Sequence, residues 1–340
     1  MVVRLCFVFC LVVAAGCESA PPGYAYASEA DAQSDSSGST TSHVVASCVD
    51  GSLNGAIPNA DAAIDDLIAA YAADGAFDFV LDVLDRRYPV GAFLVEQGVA
   101  KAQQNCFELF LPKQLRNSAS SVLSRIEVLV HECGHLYDLS VGGFSKAHYH
   151  IDDGVTRSCN GGNTQGSNQT IARSLINGDE YAAKRPPCGK GSGSHGCDNY
   201  GDIYLSGDPA DAKFESGDQG FSLLHEETVQ YVHSLATQMA FVDRVAGSTS
   251  ARDGILTFLW YTMRYLRLTR LQHPAAYKVI AEDACWREAV LLAWGRAWRL
   301  LDASADDKRL GIADKLIMEL VLAPELLEEI DRLRQAHGCN

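Results

Sequence analysis

Residues 127–139 read EVLVHECGHLYDL, with two histidines four positions apart and a glutamate directly after the first. On an α-helix, residues i and i+4 lie one above the other on the same face. His131 and His135 can therefore offer two imidazole nitrogens to one tetrahedral cation. Glu132 projects about a quarter-turn round that helix, where its carboxylate can touch a water on the cation without itself ligating. Asp138 falls on the histidine face, placed to orient a ligand imidazole through the outer hydrogen bond such histidines usually make.

The run His131-Glu132-Cys133-Gly134-His135 resembles the zincin superfamily of zinc metallopeptidases. The resemblance implies a bound Zn2+, a peptide or protein substrate, and Glu132 as the base that takes a proton from zinc-bound water and passes it to the leaving amine. The metzincin extension is absent, because Asp138 stands where that pattern has glycine and Val141 where it has a third histidine. The gluzincin pattern instead draws a glutamate from a later helix.

A tetrahedral catalytic site wants a third protein ligand and an open fourth position. LLHEETVQYVHSLA offers Glu226 and Glu227. On a helical wheel Glu227 shares a face with Leu223, Leu224 and Tyr231, which read as buried. Glu226 shares one with Ser222, Gln230 and His233, which read as wetter. A carboxylate among apolar neighbours is costly unless paired or bound to a cation, so Glu227 is the preferred ligand. Glu180, in NGDEYAAKRPP, and the pair His148 and His150, in KAHYH, are the alternatives. The oxyanion that develops in peptide hydrolysis needs a donor besides the metal. Tyr231 and His233 are candidates, as are His148, Tyr149 and His150.

These residues need elements to hold them. Val122, Ile126, Leu129, Cys133 and Leu136 make an apolar stripe that predicts one long helix from about 118 to 139, with serines at its start. Helices are also expected at 60–73 and at 76–87, the second stopped by Pro89. CFELFLP at 106–112, KAHYHIDDG and GDIYLSGD read as short strands. From Phe221 onward the pattern is helical throughout, with Trp286, Trp294 and Trp298 recurring at core spacing. The expected architecture is mostly α with a small β-sheet: a zincin-like core carrying the active-site helix, and a C-terminal helical bundle.

The chain's 340 residues can bury a sizeable core, and 47% hydrophobic with 21% charged residues reads as folded. A net charge of -15 argues against a nucleic-acid partner, which would want a basic face. Residues 1–16, MVVRLCFVFCLVVAAG, read as an export signal, with an apolar run far shorter than a membrane span. The small residues before Cys17 resemble the lipobox of bacterial lipoproteins, which implies cleavage before Cys17, lipid on its sulfur and anchorage to a membrane. Residues 17–43 form a Ser-, Ala- and Gly-rich tether, and 44–340 the folded domain. Eight cysteines remain beyond Cys17, an even number that favours disulfides in an exported chain, with Cys188 and Cys197 the local pair. The Asp-rich stretch 198–218 lacks a calcium-loop pattern. Two other functions fit the same residues: a noncatalytic surface lipoprotein that binds through a zincin-like scaffold, and a zinc hydrolase of non-peptide amides. Glu132 favours the peptidase, since a structural metal site has no use for that base.

Overall fold

Two short helices and a longer one deliver the histidines. The computed structural model describes residues 43–143, 145–161, 170–189, 196–244 and 247–339, so the expected signal, Cys17 and nearly all of the tether lie outside the described residues. Helix α1 is Asp65–Ala69, shorter than the expected 60–73, and α2 is Ala76–Arg87 as expected. Pro89 ends α2 but also opens α3, Pro89–Lys101, at a first-turn position where its missing N–H goes unneeded. CFELFLP is helix α4, Cys106–Phe110, not a strand. The Asn105 side chain caps it by accepting from the Glu108 N–H at 3.1 Å.

The long helix expected from 118 is two. Helix α5 is Ala119–Leu123, capped by the Ser118 side chain, and α6 is Ile126–Gly142. Between them the Ser124 hydroxyl donates to the Ser121 carbonyl at 2.8 Å, a local bond that competes with continuation of the helix. Gly143, at φ 63°, ends α6.

The expected KAHYHIDD strand is β1, Lys146–Asp152, and it pairs antiparallel with β2, Val155–Asn160, in a two-stranded sheet. GDIYLSGD is a single helical turn, α7, Gly201–Tyr204, instead of a strand. The helical C-terminal part follows as α8 (Phe221–Phe241), α9 (Ala251–Gln272), α10 (Pro274–Ala281), α11 (Ala284–Ala303), α12 (Asp314–Val321) and α13 (Pro324–His337). Trp286, Trp294 and Trp298 are buried in this part as core, as their spacing indicated, and Trp260 joins them. No helix among the described residues is long and apolar enough to cross a membrane.

Helix α6 lies at the centre, packed against α3, α4, α8 and β1. Its closest approaches are made where side chains are missing. A Cβ on Gly98 of α3 would stand 2.6 Å from the Cys133 carbonyl oxygen, and one on Gly134 would stand 2.0 Å from Gln230 Oε1 of α8. All eight cysteines pair: Cys48–Cys339, Cys106–Cys133, Cys159–Cys285 and the expected local Cys188–Cys197. Cys133 sits between the two histidines in sequence, so its bond to Cys106 staples α6 to α4.

That staple spans 27 residues, and a loop of this length contributes about 3–4 kcal/mol by the chain-entropy account. Replacing Cys106 and Cys133 together by alanine should lower the unfolding free energy by about that amount, seen as a lower urea midpoint. An unchanged midpoint would mean that packing alone holds α6.

Candidate metal centre

Side chains from α6 and α8 meet across the contact opened by Gly134. His131 Nε2 and His135 Nε2 stand 2.9 Å apart. Glu227 Oε2 lies 3.3 Å from the His135 nitrogen and 3.7 Å from the His131 nitrogen. Ligand atoms at about 2.0–2.1 Å round a tetrahedral ion are themselves about 3.3 Å apart, so this triangle has the size a zinc ion requires. Among the described residues these three form the one group of His, Cys, Asp and Glu whose ligand atoms converge in this way. Glu227 Oε2 is buried and accepts no hydrogen bond, which leaves its lone pairs for a cation. Two imidazole nitrogens and a carboxylate oxygen are a donor set that suits zinc.

Each histidine is fixed from behind. His131 Nδ1 bonds the Ser234 hydroxyl at 2.9 Å. His135 Nδ1 donates to the Glu226 carboxylate in a short contact, which leaves its Nε2 lone pair facing the triangle. Glu226 is held in turn by Gln230, whose Nε2 donates to it at 3.1 Å and to Asp138 Oδ2 at 3.0 Å. Asp138 also accepts from the His150 backbone N–H at 3.1 Å. The expected histidine-orienting carboxylate is thus Glu226, while Asp138 ties α6 and α8 to β1.

The charges here are mutually dependent. Burial opposes charge on His135, yet Glu226 and Glu227 outweigh it and hold its pKa well above the usual histidine value. Burial opposes charge on Glu227 too, but His135 and His131 keep its carboxyl far below the usual range. Glu132 is half-buried beside this group. Burial raises its pKa, the two histidines oppose that, and Glu227 and Glu226 add to it. Burial, reinforced by Glu226, likewise lifts Asp138 well above the usual carboxylate range.

The other expected site residues divide. Tyr231 packs edge-on against His131, with ring centroids 4.9 Å apart, and its hydroxyl meets that of Tyr204 at 2.9 Å. His233 is not at the site. Its Nε2 donates to the His150 carbonyl at 2.6 Å and its Nδ1 accepts from the Tyr88 hydroxyl at 2.6 Å, so both nitrogens are used in the core. Burial pushes its pKa down to about 3. Glu180 is a surface residue with a 59% exposed side chain that pairs with Arg267 at 3.1 Å. His148 and His150 share a buried face of β1, but neither joins the converging group: His148 bonds Ser158 at 2.6 Å and His150 stacks on Phe93. Tyr149 donates its hydroxyl proton to the Ser222 carbonyl at 2.9 Å. Residue types alone did not reveal Glu226 as the orienting partner, nor Gln230, Ser234 and Tyr204. The i, i+4, i+8 spacing of Glu226, Gln230 and Ser234 on α8 was the available signal. A separate cleft of about 700 Å³ lies between residues 52–58 and the β1–β2 turn, and no member of the triangle lines it.

Comparison with family models, curated proteins and solved structures finds no match for this chain.

Two outcomes follow from the outer bonds and the shared charge. Glu226→Gln keeps a hydrogen-bonding group beside His135 but removes its charge, and should weaken zinc binding about 10–100-fold by competition titration. Equal affinity would mean that Glu226 does not orient the ligand. The raised His135 pKa stabilises the metal-free fold fully below about pH 6.5, and that contribution is lost as pH rises through the folded value. A cation at Nε2 competes with the same proton. Calorimetry at pH 7 in buffers of different ionisation heat should therefore show about one proton released per zinc, and no release would contradict the charge assignment.

Proposed function

We propose that the chain is a zinc-dependent metallopeptidase that acts on a peptide or protein substrate outside the cytoplasm. The observation that carries this reading is the convergence of His131, His135 and Glu227 with Glu132 standing beside them. His131, His135 and Glu227 would hold zinc, which would supply a Lewis acid for the scissile carbonyl and lower the pKa of an attacking water towards neutrality. Glu132 takes a proton from the attacking water and delivers it to the leaving nitrogen. Its partial burial supports this role, since a carboxylate whose pKa is raised is a stronger base. Tyr231, positioned by Tyr204 and by the His131 ring, donates a hydrogen bond to the oxygen on which negative charge develops. Burial first, then neighbours that include Glu227, hold both phenols well above their usual pKa, so they remain donors at neutral pH.

Compartment and anchorage belong to the same reading. Four disulfides suit an oxidising space outside the cytoplasm. The Ala-Gly-Cys run ending at Cys17 supports export as a bacterial lipoprotein, with lipid on Cys17 holding the enzyme at a membrane.

The test separates chemistry from metal binding. Glu132→Gln should retain zinc at the wild-type stoichiometry while casein or peptide-library cleavage falls by about 10²–10⁴-fold or more. Full zinc occupancy with no cleavage by the wild type would replace the peptidase with the noncatalytic binding module.

A further inference from the structure

Arg173 opens the 3-10 turn Arg173–Gly178 and is 1% exposed. The other six buried arginines each face a carboxylate: Arg87 with Asp243, Arg116 with Glu108, Arg185 with Asp198, Arg252 with Asp314, Arg264 with Asp179 and Arg296 with Asp152. Arg173 has no carboxylate within ion-pair distance among the described residues, and the carboxylates whose charge reaches it are those of the metal site, Glu227 ahead of Glu226. The undescribed stretch that precedes it, 162–169, reads GNTQGSNQ and contains no acidic residue. Asp218, on the turn that carries Ser216, instead accepts from the Glu215 backbone N–H at 2.6 Å. Arg173 Nε donates to the Tyr204 carbonyl at 2.7 Å and Nη2 to the Ser216 hydroxyl at 2.6 Å, while Nη1 is buried without any acceptor. A buried guanidinium stays charged, and one left without its counter-ion is strongly unfavourable.

The position of this cation matters as much as its missing partner. Its carbon lies 5.4 Å from the centre of the Tyr204 ring. The Tyr204 and Tyr231 rings are 6.2 Å apart, and Tyr231 packs on the metal-site His131. Two aromatic rings thus separate Arg173 from the metal triangle, and the path through their centres is one that about five extended peptide residues of about 3.3 Å each cover at most. Ser216 and Tyr204 are only half-buried, so the guanidinium lies one side chain beneath the surface.

We propose that Arg173 receives the free C-terminal carboxylate of a peptide whose scissile bond lies a few residues back, about five at most, at the metal centre. The proposal rests on the metallopeptidase reading for the bond that is cut, but not for the carboxylate that is bound. The incoming carboxylate displaces the Ser216 hydroxyl from Nη2 and takes Nη1 as well, giving the two parallel bonds that a guanidinium offers. The enzyme is then an exopeptidase that releases short C-terminal fragments. A chain of net charge -15 repels anionic ligands on the whole, so a buried guanidinium with a donor left unfilled supplies the selectivity.

The test uses two peptides of one sequence, one ending in a free carboxylate and the other in an amide. The purified protein is assayed for cleavage by mass spectrometry, and for binding of the all-D versions, which are not cleaved, by calorimetry. The free acid should be cut near its C-terminus and bound at least tenfold more tightly than the amide. Arg173→Gln should erase that preference while zinc stoichiometry stays at the wild-type level, and Arg173→Lys should keep a reduced preference. If no peptide is cut but the acid preference persists in binding and vanishes in Arg173→Gln, the carboxylate receptor stands and the peptidase reading fails. If Arg173→Gln does not fold, Arg173→Lys decides, and a preference equal to wild type in that variant overturns the proposal. Equal binding of acid and amide by the wild type overturns it too. So does an amidated peptide ending in glutamate that binds as well as the acid, since the receptor would then read a side chain and not a chain terminus.

Discussion

Two imidazole lone pairs and a carboxylate face one another across the contact between α6 and α8, and much of the surrounding structure serves to hold them there. Groups of this kind repel unless a proton or a cation lies among them. In the metal-free protein that role falls to a proton on His135, kept there by Glu226 and Glu227. The helices approach closely enough only because residue 134 is glycine, so that Gln230 occupies the space a side chain would fill. Gln230 in turn divides its amide between Glu226 and Asp138, which joins the histidine-orienting carboxylate to β1. On the opposite side, Gly98 and the Cys106–Cys133 bond fix α6 against α3 and α4.

The histidine pair was legible in the sequence because helical spacing alone sets its geometry. Glu227 was legible only through an argument that the structure reverses. Ser222, Gln230 and His233 read as a wet face, yet they are 3%, 0% and 0% exposed, and Glu226 among them is 4% exposed. Gln230 and His233 are polar because they make buried hydrogen bonds, Gln230 to Asp138 of α6 and His233 to β1 and Tyr88, a circumstance that residue type cannot distinguish from solvent. Glu227, the less buried of the two glutamates, points its free oxygen at the histidines. His233 misled for the same reason: a histidine near a site can spend both nitrogens on the core.

The coarse fold was legible, but several boundaries were not. Mostly helical character, the β1 strand and the local disulfide follow from periodicity and short loop closure. A serine hydroxyl bonds the preceding turn at the break between α5 and α6, and α4 forms where aromatic composition suggested a strand because Asn105 caps it and Cys106 fastens it to α6. The three long-range disulfides connect segments that only the finished fold brings together. The oxidising compartment they suit is also a condition for the site, since one of them anchors the helix that carries both histidines.

The most direct measurement is a crystal structure of zinc-loaded protein with anomalous data on both sides of the zinc edge. The account predicts one strong peak within about 2.0–2.2 Å of His131 Nε2, His135 Nε2 and a Glu227 carboxylate oxygen. A peak ligated by other side chains, or fully loaded crystals with no peak between α6 and α8, would contradict it.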